Sequence, residues 1–182
     1  MSKAIGLIEY RTISTGLKAA DVLIKAADVE VLEAHPVCPG KYIILCAGRL
    51  GAVKAAVEAA TTTYPEMLVD SFVLGNPHET IFTAIYGASE VSDPEALGMI
   101  ETFSVAGAIV AADVAAKTAE VQLVELRLAR GLSGKAFVLL TGDVAAVTAA
   151  VEKALAAVGP TGMGLDSAII PRPDKKLWDT LL

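Results

Sequence analysis

Apolar and polar positions alternate loosely along AIGLIEY (Ala4 to Tyr10), which predicts a strand, and the next stretch sets Ile13, Leu17, Ala20 and Ile24 on one face of a helix. Two β-rich runs follow, Glu30 to Val37 and Lys41 to Ala47, joined across Pro39 and Gly40. Leu50, Val53 and Val57 mark a second helix whose outer face carries Lys54 and Glu58, one turn apart. Met67 to Leu74 reads as a last strand, and a short helix follows Pro77. The order βαββαβ is the split-βαβ, ferredoxin-like arrangement, an α+β fold in which helices on one face of an antiparallel sheet would bury the valines and alanines.

The whole pattern then returns. Slid on itself by 92 residues, the sequence matches at 12 of 34 positions over residues 4 to 37, laying AADVLIKAADV (Ala19 to Val29) on AADVAAKTAEV (Ala111 to Val121). A two-residue insertion moves the offset to 94, and Gly40 to Ala60 then matches Gly134 to Ala154 at 11 of 21 positions. A further shift of two lays Asp70 and Ser71 on Asp166 and Ser167. The copies are collinear, so neither is circularly permuted. We therefore expect two tandem domains, residues 1–90 and 94–182, with Tyr86 to Pro94 as a turn-rich linker.

Composition narrows what such a chain can do. Of 182 residues, 54% are hydrophobic, 5% aromatic and 20% charged, which suits a folded domain and excludes a disordered chain. A net charge of -6 offers no general attraction to phosphate backbones or anionic lipid, so neither nucleic acid nor membrane is an expected partner. The longest uncharged run, Ala154 to Leu165, holds 12 residues, against about 20 for a spanning helix. The first residues lack a signal peptide's apolar stretch, and we expect a cytosolic protein. The excess of apolar residues on a small chain points to covered interfaces between subunits.

Gly98, Ile100 and Glu101, the block Ala111 to Val121, the loop ARGLSGK (Ala129 to Lys135) and GDVAAVTAAV (Gly142 to Val151) together resemble the bacterial microcompartment shell domain. The first copy carries the same pattern, with Arg49 and Leu50 in place of Asp and Val. The resemblance implies a non-enzymatic shell subunit in the cytoplasm: a homotrimer of pseudohexameric shape that tiles with other shell proteins around a central pore.

That geometry gives single residues a meaning. It puts both loops between the second and third strands at the pore: His35, Pro36, Val37, Cys38, Pro39, Gly40 and Lys41 from the first copy, and Arg130, Gly131, Leu132, Ser133 and Gly134 within residues 129–135 of the second. The second loop has the Gly and Ser character of a small-molecule pore, with backbone donors for polar solutes. In the first, Pro36 and Pro39 hold Cys38 in a stiff segment. Threefold symmetry would bring three Cys38 thiols together, three of the four thiolates of a [4Fe-4S] cluster, and the pattern resembles tandem shell proteins with such a cluster on the axis. The resemblance further implies electron transfer across the shell or cluster delivery to a redox enzyme, with a plain structural tile or metabolite pore as the alternative. It also places Lys25, Lys117 and Arg172 at tile edges, Asn76 standing in the first copy where Arg172 stands in the second.

The remaining candidates read as structural. Cys46 aligns with Leu140 and belongs to the core. His35 is expected as an incidental surface residue, and His78 has no metal role. Glu9 and Glu101 recur without a nucleophile or base, which argues for holding strand ends or neighbouring subunits rather than catalysis. Gly131 to Ala136 fails the spacing of a phosphate loop.

Overall fold

A computed structural model describes residues 4–91, 94–161 and 163–181. The linker assigned to 86–94 includes residues 92 and 93, which lie outside the described residues, as do both chain ends. The chain divides into two compact units, one ending at Pro77 and the other beginning at His78.

In the first unit, β1 (Ala4–Tyr10), α1 (Ile13–Ala26), β2 (Glu30–Val37), β3 (Lys41–Gly48), α2 (Leu50–Thr63) and β4 (Leu68–Gly75) follow the expected order. The four strands form one antiparallel sheet in the order β2-β3-β1-β4. The second unit opens with α3 (Thr80–Ile85), then β5 (Ala96–Thr102), α4 (Val105–Thr118), β6 (Gln122–Leu128), β7 (Ala136–Gly142), α5 (Val144–Val158), β8 (Gly164–Ile170) and α6 (Lys175–Leu181). Its sheet runs β6-β7-β5-β8. The irregularities repeat too. Register shifts fall at Glu9/Tyr10 and Glu101/Thr102, and again at Val31/Glu33 and Leu123/Glu125.

Each sheet lies close against its second long helix because a recurring glycine allows it. A Cβ on Gly6 would stand 2.7 Å from Val53 and 2.8 Å from Val57; one on Gly98 would stand 2.7 Å from Leu140 and 2.8 Å from Val147.

The structure departs from the sequence reading in three places. Of the face Ile13, Leu17, Ala20 and Ile24 on α1, Ala20 is buried but the other three are exposed, and the core side is Gly16, Ala19, Ala20 and Leu23. The physical reason is closeness: a Cβ on Gly16 would sit 2.4 Å from Tyr42, so the small-residue face of α1 is the one that can reach β3. Helices are also not confined to one sheet face. Trp178 of α6 packs with Leu97, Val124 and Leu139, on the side opposite the Gly98 contact with α5. Finally, Val144–Thr161 is long and apolar enough to cross a membrane by length and composition, because such a window tolerates Glu152 and Lys153. Val147, Ala150, Val151, Ala154 and Val158 are buried along it, as in a core helix.

Candidate functional site

The β2–β3 connection is a tight hairpin. Val37 pairs with Lys41, so Cys38, Pro39 and Gly40 alone make the turn, and the Gly40 N–H donates to the Val37 carbonyl at 2.9 Å. Gly40 is needed there for its φ of 95°, not for space, since nothing lies within 4 Å of where its Cβ would be. Thus His35, Pro36 and Val37, which the resemblance assigned to the pore loop, belong to β2, whose range Glu30–Val37 is the β-rich run expected from the sequence. Pro36 is tolerated because β2 is an edge strand. Cys38 and Pro39 are joined by a cis peptide, and the Cys38 thiol at the hairpin tip is exposed.

Charged side chains brace the strands behind this tip. His35 faces Glu33 at 2.8 Å through Nε2 and the Pro36 carbonyl at 3.1 Å through Nδ1, so it is engaged within β2 rather than standing as an incidental surface group. The spacing of two between Glu33 and His35 puts both on one face of a strand, a signal that the sequence carried. Lys41 Nζ donates to Glu9 at 2.8 Å, and the carboxylate is buried. The equivalent Lys135–Glu101 pair is looser, 4.0 Å apart.

The second hairpin is built differently. Residues 129–135 separate β6 from β7, and Ala129, Gly131, Ser133 and Gly134 all take positive φ, 54° to 87°. Arg130, Gly131 and Ser133 are exposed, and Leu132 is half-buried. Below the loop, Arg127 pairs with Glu125 at 2.6 Å and stacks over Phe137, 5.1 Å from the ring centre.

The other predicted residues lie elsewhere. Lys25 pairs with Asp21 at 2.6 Å and Lys117 with Asp113 at 2.7 Å, each one turn along its helix. Asp113 also accepts the His78 backbone N–H at 2.8 Å. Arg172 is exposed beside a shallow cavity of about 360 Å³ lined with Pro94, Glu95, Val144 and Pro173. Cys46 is buried, and burial pushes its thiol up to about 11. Among the described residues no three His, Cys, Asp or Glu side chains converge on a metal within one chain.

The BMC domain family model matches residues 4–77 and 96–173. The chain belongs to this family. It is 40% identical over 178 residues to the bacterial microcompartment shell protein PduT of Citrobacter freundii, covering 98% of this chain and 97% of that one. The carboxysome assembly protein CcmO of Synechococcus elongatus is 28% identical over 98% of this chain and 68% of its own length. Among solved structures, a microcompartment protein from Desulfitobacterium hafniense superposes with a TM-score of 0.94 at 46% identity, over 98% of this chain and 99% of that one. A fused permuted hexameric shell protein of the RMM microcompartment superposes with a TM-score of 0.64 at 26% identity, covering 88% of this chain and 85% of its own. The chain is thus a structural shell subunit of a bacterial microcompartment, within the cytoplasm, and not an enzyme.

Proposed function

We propose that three copies of the chain form a pseudohexameric tile whose Cys38 hairpins meet on the rotation axis, and that the three thiolates hold a [4Fe-4S] cluster there. The observation that carries this reading is the position of Cys38: an exposed thiol at the tip of a three-residue turn, backed by a strand that pairs up to Val37. Among the described residues a single chain offers one accessible thiol and no converging ligand set, so sharing between chains is the arrangement its donors fit. When bound, such a cluster supplies one-electron transfer across the shell, or is handed to a redox enzyme inside it. The protein's own part is positional. The short turn fixes the sulfur, the Glu9–Lys41 pair ties β1 to β3 behind it, and the Glu33–His35 pair stiffens β2.

The pore is completed by Gly131, Leu132, Ser133 and Gly134 from the second hairpin, with Arg130 beside them. Lys25, Lys117 and Arg172 lie on the outer edge that meets other shell proteins. Anaerobic purification followed by iron analysis and visible absorbance tests the site. We expect about four iron atoms for every three wild-type chains. Cys38→Ser should keep the trimer's mass and lose the iron and the colour. A colourless wild type without iron after reconstitution would leave a plain tile or metabolite pore, the role for which the Gly- and Ser-bearing second loop is suited.

A further inference from the structure

The acid and base behind the Cys38 turn recur in the second copy. Glu33 and His35 stand 92 residues before Glu125 and Arg127, and each pair follows the register shift that β2 and β6 share. Both pairs are closed: His35 Nε2 lies 2.8 Å from Glu33, and Arg127 lies 2.6 Å from Glu125. The residue opposite differs. Arg127 is paired across the strands with Phe137 and stacks over its ring, whereas His35 is paired with Ile43, which has no ring to offer.

The two bases therefore take different second partners. His35 turns Nδ1 to the Pro36 carbonyl, 3.1 Å away and two residues before Cys38. That carbonyl belongs to an edge strand, at a residue with no N–H of its own to pair. Beyond it the tip is held by the Val37–Lys41 pairing and by the Gly40 N–H on the Val37 carbonyl. The first pair is also the better shielded. His35 and Glu33 side chains are 20% and 12% exposed, against 48% and 24% for Arg127 and Glu125, so water competes less for their hydrogen bonds. Both oxygens that face the imidazole only accept, so the ring serves both with a proton on each nitrogen, the charge that Arg127 carries permanently.

We propose that His35 is a positioning residue for Cys38: held on Glu33 through Nε2, it donates through Nδ1 to the Pro36 carbonyl and fixes the course of the strand that delivers the thiol. A ligand whose approach is already ordered loses less freedom when it binds. What this positioning serves rests on the reading of Cys38 as a cluster ligand; the positioning itself rests on the hairpin alone.

The test uses the full chain as wild type, His35→Asn, His35→Gln and His35→Ala, with circular dichroism and light scattering to follow fold and mass. His35→Asn keeps a donor at the reach of Nδ1 and loses the one at Nε2; His35→Gln does the reverse. Hydrogen exchange of metal-free protein is read by mass spectrometry on peptides spanning residues 37–42. It should be alike in wild type and His35→Asn, and roughly tenfold faster in His35→Gln and His35→Ala, as the loss of one shielded hydrogen bond requires. Peptides from residues 129–135 should exchange alike throughout. After reconstitution with iron and sulfide, a chelator should bleach His35→Gln and His35→Ala faster than the other two by a similar factor. Equal exchange over residues 37–42 in every form overturns the positioning role. So does a His35→Asn variant as fast as His35→Gln and His35→Ala, which would trace the effect to lost packing. Exchange in the expected order with a wild type that takes up no iron overturns the cluster and leaves His35 positioning the thiol. If His35→Ala misfolds, the comparison of His35→Asn with His35→Gln decides.

Discussion

Cys38 lies at the tip of the β2–β3 hairpin and Cys46 within its second strand, and their surroundings separate them completely. Cys46 is enclosed by β1 and α2, its sulfur 3.0 Å from where a Gly6 Cβ would be, and the apolar surroundings push its thiol from 9.0 to about 11. That shift makes stability depend on alkaline pH. Above the ordinary thiol range the unfolded chain releases this proton while the native chain keeps it, so stability present below about pH 9 is lost as pH rises toward 11, by up to about 2–3 kcal/mol. Burial, reinforced by Tyr64, likewise pushes Tyr10 up to about 12, extending the decline. Urea midpoints at about pH 8 and 10.5 check this. Cys46→Ala should start lower, from lost packing, and decline less; parallel declines would remove Cys46 from the account. The buried role of Cys46 was legible because Leu140 occupies its place in the other copy. The exposure of Cys38 needed the hairpin, since the β-rich runs on either side place a connection there but do not say that its thiol is left uncovered.

At the scale of elements, the copies share strand order and the places where the register shifts, but not helix caps. Asp143 accepts the N–H groups of Ala145 and Ala146 at the start of α5, and Ser104 accepts that of Gly107 in α4. Arg49 and Thr12 provide no side-chain cap to α2 and α1. Asp143→Ala should therefore cost about 1 kcal/mol, and Arg49→Asp should gain about 0.5–1 kcal/mol by giving α2 the missing acceptor. Thermal or urea unfolding of both variants measures the difference, and equal effects of opposite expectation would show that caps do not govern these helices. The strands and long helices were legible because apolar periodicity is local. The orientation of α1 was not. A stripe of Ile13, Leu17 and Ile24 looks like a core face, yet Gly16 and the two alanines allow closer approach to Tyr42 and win the sheet side.

At the scale of the whole molecule, the apolar core of each unit is complete without any metal, so a cluster held by three Cys38 thiols would not be a folding element. Chelation under reducing conditions should bleach the visible absorbance and leave both the trimer's mass and the dichroism unchanged. A trimer that falls apart on chelation would instead make metal the cement of the assembly. The sequence by itself determined the duplication and the order of elements in each copy, because a repeat is read by aligning the chain on itself and apolar periodicity is written in neighbouring residues. Tertiary structure decided which apolar faces are closed and which stay open, with Ile109 covered and Leu17 in water, and that Cys38 ends a strand pair with its sulfur exposed. Periodicity records that a face is apolar; only the packing of distant segments determines what covers it.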